Sequence, residues 1–103
     1  MLKAALFSLA VACSGYANAG TMADECKSTA KGSKIFAQWR DSGVPIEQAL
    51  DRVRGAFSND DPDVRAAWIG QLDNVYEGKM KGFNPQQTEM IMYNACMGRM
   101  TMP

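Results

Sequence analysis

The chain of 103 residues contains no histidine. That removes the usual zinc ligand, the usual general base and the side chain that titrates near neutral pH. Ser-His-Asp and Cys-His nucleophile systems go with it. There is also no excess of either charge: eleven Lys and Arg face eleven Asp and Glu. Nothing in that balance points to nucleic acid, or to an acidic solvating tail. No phosphate loop, GxGxxG turn or HExxH helix occurs. No apolar run approaches the roughly 20 residues needed to span a bilayer. The expectation is a protein that is not an enzyme and carries no cofactor.

The longest apolar stretch lies at the front, in MLKAALFSLAVACSGYANA. Lys3 supplies a basic start, Ala4 to Ala12 an apolar centre, and Ala17-Asn18-Ala19 a small-x-small cleavage site. The pattern predicts a secretory signal over 1–19 and one helical domain over 20–103. A membrane anchor is disfavoured by the shortness of the run. Lipidation at Cys13 is disfavoured by Ala10, where such signals usually carry leucine. The expected location is periplasmic or secreted, with no membrane association after cleavage.

Cleavage after Ala19 leaves 84 residues, a net charge of about −1 and two of the three cysteines. In an oxidising compartment Cys26 and Cys96 pair. The loop they close is worth about 4 kcal/mol in the chain-entropy account. That is a large share for a domain too small to bury a deep core. The two cysteines are too far apart for a CxxC redox motif.

Proline and glycine divide the rest into four helices, and no segment alternates with the period of a strand. The first is expected over 24–41, stopped by Gly43, with residues 20–23 loose before it. Cys26, Ala30, Ser33 and Ala37 form a stripe of small side chains along it. Ile35, Phe36 and Trp39 continue the apolar arc, and Lys27, Lys31, Lys34 and Gln38 form a polar wedge. The second helix, within VPIEQALDRVRGAF, repeats Ile46, Ala49, Leu50, Val53 and Phe57 on one face. Asp61 and Pro62 are start signals for the third, which presents Val64, Trp68, Ile69, Leu72, Val75 and Tyr76. Asn84, Pro85 and Gln87 open the fourth as a capping box. There Met92, Tyr93, Cys96 and Met100 are expected to share the buried stripe, with Met90 and Met97 flanking it. Ile91 falls opposite, free to meet a partner. The predicted architecture is a small all-α four-helix domain stapled by Cys26–Cys96.

Four groups invite a chemical reading. Asp60, Asp61 and Asp63 resemble the start of a calcium loop, but a proline intervenes and the glycine and distal glutamate are missing. Acids at a helix N-terminus account for them. Asp73 and Glu77, one turn apart, fall on a polar face and read as solvated. Lys27, Lys31 and Lys34 can dock an anionic surface or simply face water, and the second is the default. Six of the eight methionines lie between Met80 and Met102. Thioethers select Cu(I), and Met90, Met97 and Met100 are the candidate ligands, Met97 and Met100 being three apart. The spacing equally suits a core stripe, which methionine fills well.

The segments RDSGVP, NVYEG and YNACM, with Cys26, Arg40, Gly43, Pro45, Tyr76, Tyr93 and Cys96, resemble those of short exported bacterial proteins of unknown function with a cysteine near each end. The resemblance covers most of the chain after residue 19 through scattered positions. It implies export and the disulfide, and no mechanism. In size and single long-range disulfide the chain is also similar to the small acid-stress chaperones of enteric periplasms, without a shared motif. That likeness implies apolar surface exposed on acidification.

The expected function is binding or interaction in the periplasm, with a protein partner. Ile35, Trp39 and Ile91 are the candidate surface. Acid-stress chaperone activity and methionine-based Cu(I) binding are the alternatives.

Overall fold

The computed structural model describes the backbone of residues 14–103 and the side chains of residues 22–103. Four helices follow in order: α1 (Ser14–Asp41), α2 (Ile46–Ala56), α3 (Pro62–Tyr76) and α4 (Pro85–Cys96). No strand occurs among the described residues. The all-α, four-helix expectation is met, and Cys26 and Cys96 are bonded with their Cα atoms 5.5 Å apart.

α1 is the helix on which the other three pack. Its small stripe explains why. Ala30, Ser33 and Ala37 are at most 2 % exposed, so α4 lies close against the α1 backbone. Ser33 returns its hydroxyl to the Thr29 carbonyl, 3.0 Å away, and so adds no unsatisfied polar group to the contact. The pairing runs antiparallel. Cys26 meets Cys96, Lys34 meets Glu89 at 3.5 Å, and Arg40 reaches the Phe83 carbonyl at 2.6 Å. The lysine–glutamate pair is about one-third exposed and adds little.

The other end of α1 is closed by a polar knot. Gly43 has φ +88°, which suits glycine, and the chain turns there with Gly43 N–H donating to Arg40 C=O and Val44 N–H to Trp39 C=O. The Arg40 guanidinium, on a side chain only 14 % exposed, donates to the Val75 and Phe83 carbonyls at 2.9 and 2.6 Å and pairs with Asp41 at 2.9 Å. It thereby holds the end of α3 and the start of α4 to one point on α1. Tyr76 adds a second tie, its phenol donating to the Val44 carbonyl at 2.8 Å. Between the staple and the knot lies the core: Phe36, Ala49, Val53, Leu72, Val75, Met80, Ile91 and Met92 among others.

The helix starts follow the sequence signals. Asp61 accepts from the Asp63 amide at 2.8 Å, and Asn84 and Gln87 form the reciprocal capping box. Several details differ from expectation. α1 begins at Ser14, so residues 20–23 are helical rather than loose. Most of the expected signal, residues 1–13, lies outside the described residues. Val64 is 43 % exposed; the fully covered residues of α3 are Leu72 and Val75, in its second half.

Ile91 is the correction that matters for function. It is 7 % exposed and sits in the core. The buried face of α4 is set by Thr88, Ile91 and Met92, three and four residues apart. The expected stripe was centred on Cys96, which is exposed and marks the edge of that face rather than its middle. Met100, expected in the stripe, lies beyond the end of the helix and is 42 % exposed.

Two outcomes follow from the knot. Arg40→Met strands partly buried carbonyls and is expected to cost about 3 kcal/mol, read from urea unfolding, with Arg40→Lys recovering only part. Burial raises the Tyr76 phenol above its ordinary value of 10.0, against the opposing pull of Arg52 and Arg40. A proton held more tightly when folded stabilises the fold below the unfolded value, and that stability is lost as pH climbs through the folded one. Tyr76→Phe should therefore cost about 1 kcal/mol at neutral pH. The gap between the two proteins should narrow above about pH 10; a constant gap would separate the phenol proton from stability.

Candidate functional site

Among the three residues expected to form the surface, Ile35 is 43 % exposed, Trp39 is half-buried and Ile91 is internal. The first two fall together on one feature, an apolar slot of about 180 Å³ where α1 faces α2 and α3. α1 supplies Gly32, Ile35, Phe36 and Trp39. α2 supplies Arg52, Val53 and Ala56, Phe57 follows at its end, and α3 supplies Trp68.

The slot is built on an aromatic cluster. Trp68 stacks on Phe57 with ring centroids 5.3 Å apart and meets Phe36 edge-on at 5.8 Å. Phe36 in turn lies 5.5 Å from Trp39. Such pairs are worth about 1 kcal/mol each beyond their burial, so each wall braces the next. At the rim the Arg52 guanidinium sits 4.9 Å from the Trp39 ring centroid. Among the described residues the ion pairs are Lys34–Glu89, Arg40–Asp41 and Arg54–Asp51, so Arg52 has no carboxylate partner. Both tryptophans of the chain line this one slot.

Sequence periodicity found the apolar residues of the walls, Ile35, Phe36, Trp39, Val53, Phe57 and Trp68, and missed that they enclose one slot. The overlooked signal was Gly32, a glycine inside a helix, where it costs about 1 kcal/mol relative to alanine. A methyl group at Gly32 would lie 2.5 Å from the Trp68 ring. The residue is small because the indole rests on the α1 backbone. Arg52 is exposed, and its guanidinium lies over the Trp39 ring at the edge of the slot.

The chemical candidates resolve as follows. Asp61 caps α3, and no group of three or more Cys, Asp and Glu suited to a metal occurs among the described residues. Met90, 57 % exposed, lines a separate groove between α1 and α4. Met97 ends α4, and Gly98, at φ +79°, breaks the helix before Met100. The one-turn spacing that was to bring Met97 and Met100 onto one ion is therefore not helical. The Met92 sulfur is engaged by the Gln71 amide at 3.1 Å. Asp73 and Glu77 are exposed. No described helix is long and apolar enough to cross a membrane.

The close approach at Gly32 gives a sign test. In an isolated helix Gly32→Ala should stabilise by about 1 kcal/mol. Here the methyl displaces an indole wedged between Phe57 and Phe36, so a net loss of about 1–3 kcal/mol is expected, together with a shift in tryptophan emission. A stabilised variant with unchanged emission would show that the indole does not rest on this glycine.

No protein family, no curated protein and no solved structure matches the chain.

Proposed function

We propose that this is an exported binding protein whose aromatic slot seats one bulky apolar side chain of a protein partner. The observation that carries this reading is the slot itself, aromatic-walled, apolar, open to solvent and edged by a guanidinium with no carboxylate partner among the described residues. Its size argues for a side chain rather than a whole small molecule. Small-molecule sites commonly enclose roughly 300–1,000 Å³, whereas a cavity of about 150 Å³ takes a single benzene ring. Anchor residues at protein interfaces fill pockets of this kind, surrounded by contacts that exclude water. Arg52 favours a partner with a carboxylate beside that anchor.

Export is supported by the signal-like first nineteen residues and by a disulfide, which is rare in reducing compartments. Histidine-free composition and the lack of a convergent polar cluster in the slot support binding over catalysis.

Because both tryptophans line the slot, their emission reports on it directly. Short soluble peptides with a single Phe or Leu next to Glu should shift that emission, and the same peptides with Ala should not. Ile35→Glu places a charge at the exposed lip without touching the core. It should weaken the response by roughly tenfold or more, with helicity unchanged by circular dichroism. Equal responses to the Ala and Phe peptides would sink this reading.

A further inference from the structure

A second concavity lies on another side of α1 and owes nothing to the slot. It is a groove of about 390 Å³ between α1 and α4, within the range of small-molecule sites. Ala30 lies at its base, where a small residue on α1 leaves room beside the close-packed stripe. One wall is Lys27 and Lys31, one turn apart and on the same face. The other is Gln86, Met90 and Tyr93 from α4, at spacings of four and three. One wall is cationic, the other apolar with an amide at its end.

The charge in the groove is not balanced by the protein. Glu89 also lines it, but that carboxylate is met by Lys34 at 3.5 Å. The remaining ion pairs among the described residues involve Arg40 with Asp41 and Arg54 with Asp51, so neither Lys27 nor Lys31 has a carboxylate within 4.0 Å. Arg99, outside the lining, lies 5.6 Å from the centroid of the Tyr93 ring. Beside these charges Met90, 57 % exposed, presents a flexible thioether that adapts to an apolar body.

We propose that this groove binds small amphipathic anions. The acidic head sits between Lys27 and Lys31, and a flat or branched apolar body lies against Met90 and Tyr93 over Ala30. Charge complementarity selects the head, and the lining selects the body. The lysines are solvent-facing, so attraction to the head is screened by salt. The apolar wall must then supply much of the affinity. This site is independent of the aromatic slot and stands whether or not the slot binds a partner.

A matched pair of dyes tests it on the intact chain with its disulfide. 8-Anilinonaphthalene-1-sulfonate and N-phenyl-1-naphthylamine share one ring system and differ by the sulfonate. The sulfonated dye should bind roughly tenfold more tightly, and the preference should shrink as salt rises. Lys27→Gln with Lys31→Gln should erase the preference, and Met90→Ala should weaken both dyes. Ile35→Glu, at the slot, should leave the sulfonated dye's affinity within about twofold. Four results would overturn the proposal: no binding of either dye below about 1 mM, equal affinity for the two, a preference that survives loss of both lysines, or loss of binding on Ile35→Glu alone. Both lysines are exposed and make no hydrogen bond or ion pair with another described residue, so their replacement leaves the fold intact for the comparison.

Discussion

Ala30, Ser33 and Ala37 are small enough for α4 to lie directly against the α1 backbone, and the rest of the molecule is arranged around that contact. A close pair of helices gains many weak contacts at once and leaves little void. It has no lateral support of its own, and the two ends supply it. At one end Cys26 and Cys96 fix the register covalently. At the other, Arg40 fixes it by gathering the carbonyls of Val75 and Phe83. α3 is held by the same guanidinium, which places Trp68 over Gly32 and so forms the back of the aromatic slot.

Much of this was legible in the sequence, and the reasons are local. Asp61-Pro62, the Asn84/Gln87 capping box and Gly43 are signals read by neighbouring backbone groups alone, and each stands where expected. The disulfide followed from counting cysteines. What failed depended on tertiary context. The α4 wheel was anchored on Cys96, and a cysteine at the margin of a contact is a poor marker of its centre. Rotating the face toward Thr88 and Ile91 requires knowing which part of α4 touches α1. Val64 shares the apolar period of α3 yet is 43 % exposed, because periodicity does not reveal how fully a neighbouring helix covers each position. Arg40 stood out only as a position of resemblance and without a role, since nothing in the chain says that three backbone carbonyls will converge on it.

α1 serves two surfaces of opposite character. At 100° per residue, Ile35 and Trp39 lie about a quarter turn round the helix from Lys27, Lys31 and Lys34. The small stripe lies on the other flank of the lysines, nearly opposite Ile35 and Trp39. A single helix thus carries an apolar slot, a dry contact with α4 and a cationic edge. That is why its apolar residues form an arc too broad for a simple amphipathic helix. The breadth reflects distinct neighbours rather than a poorly defined core.

The bond between Cys26 and Cys96 also makes the molecule a ring with two tails. α2, α3 and all of α4 lie on the closed part of the chain, as does α1 from Cys26 onward. A protease that cuts any loop between those cysteines opens the ring and yields no separate fragments until the bond is reduced. The segment before Cys26 lies outside the ring, although it continues the same helix. Trimming the chain at Ala19 leaves both the ring and every identified core residue untouched. Covalent connectivity and helical continuity thus divide α1 at different places, and only the ring-bound part carries the fold.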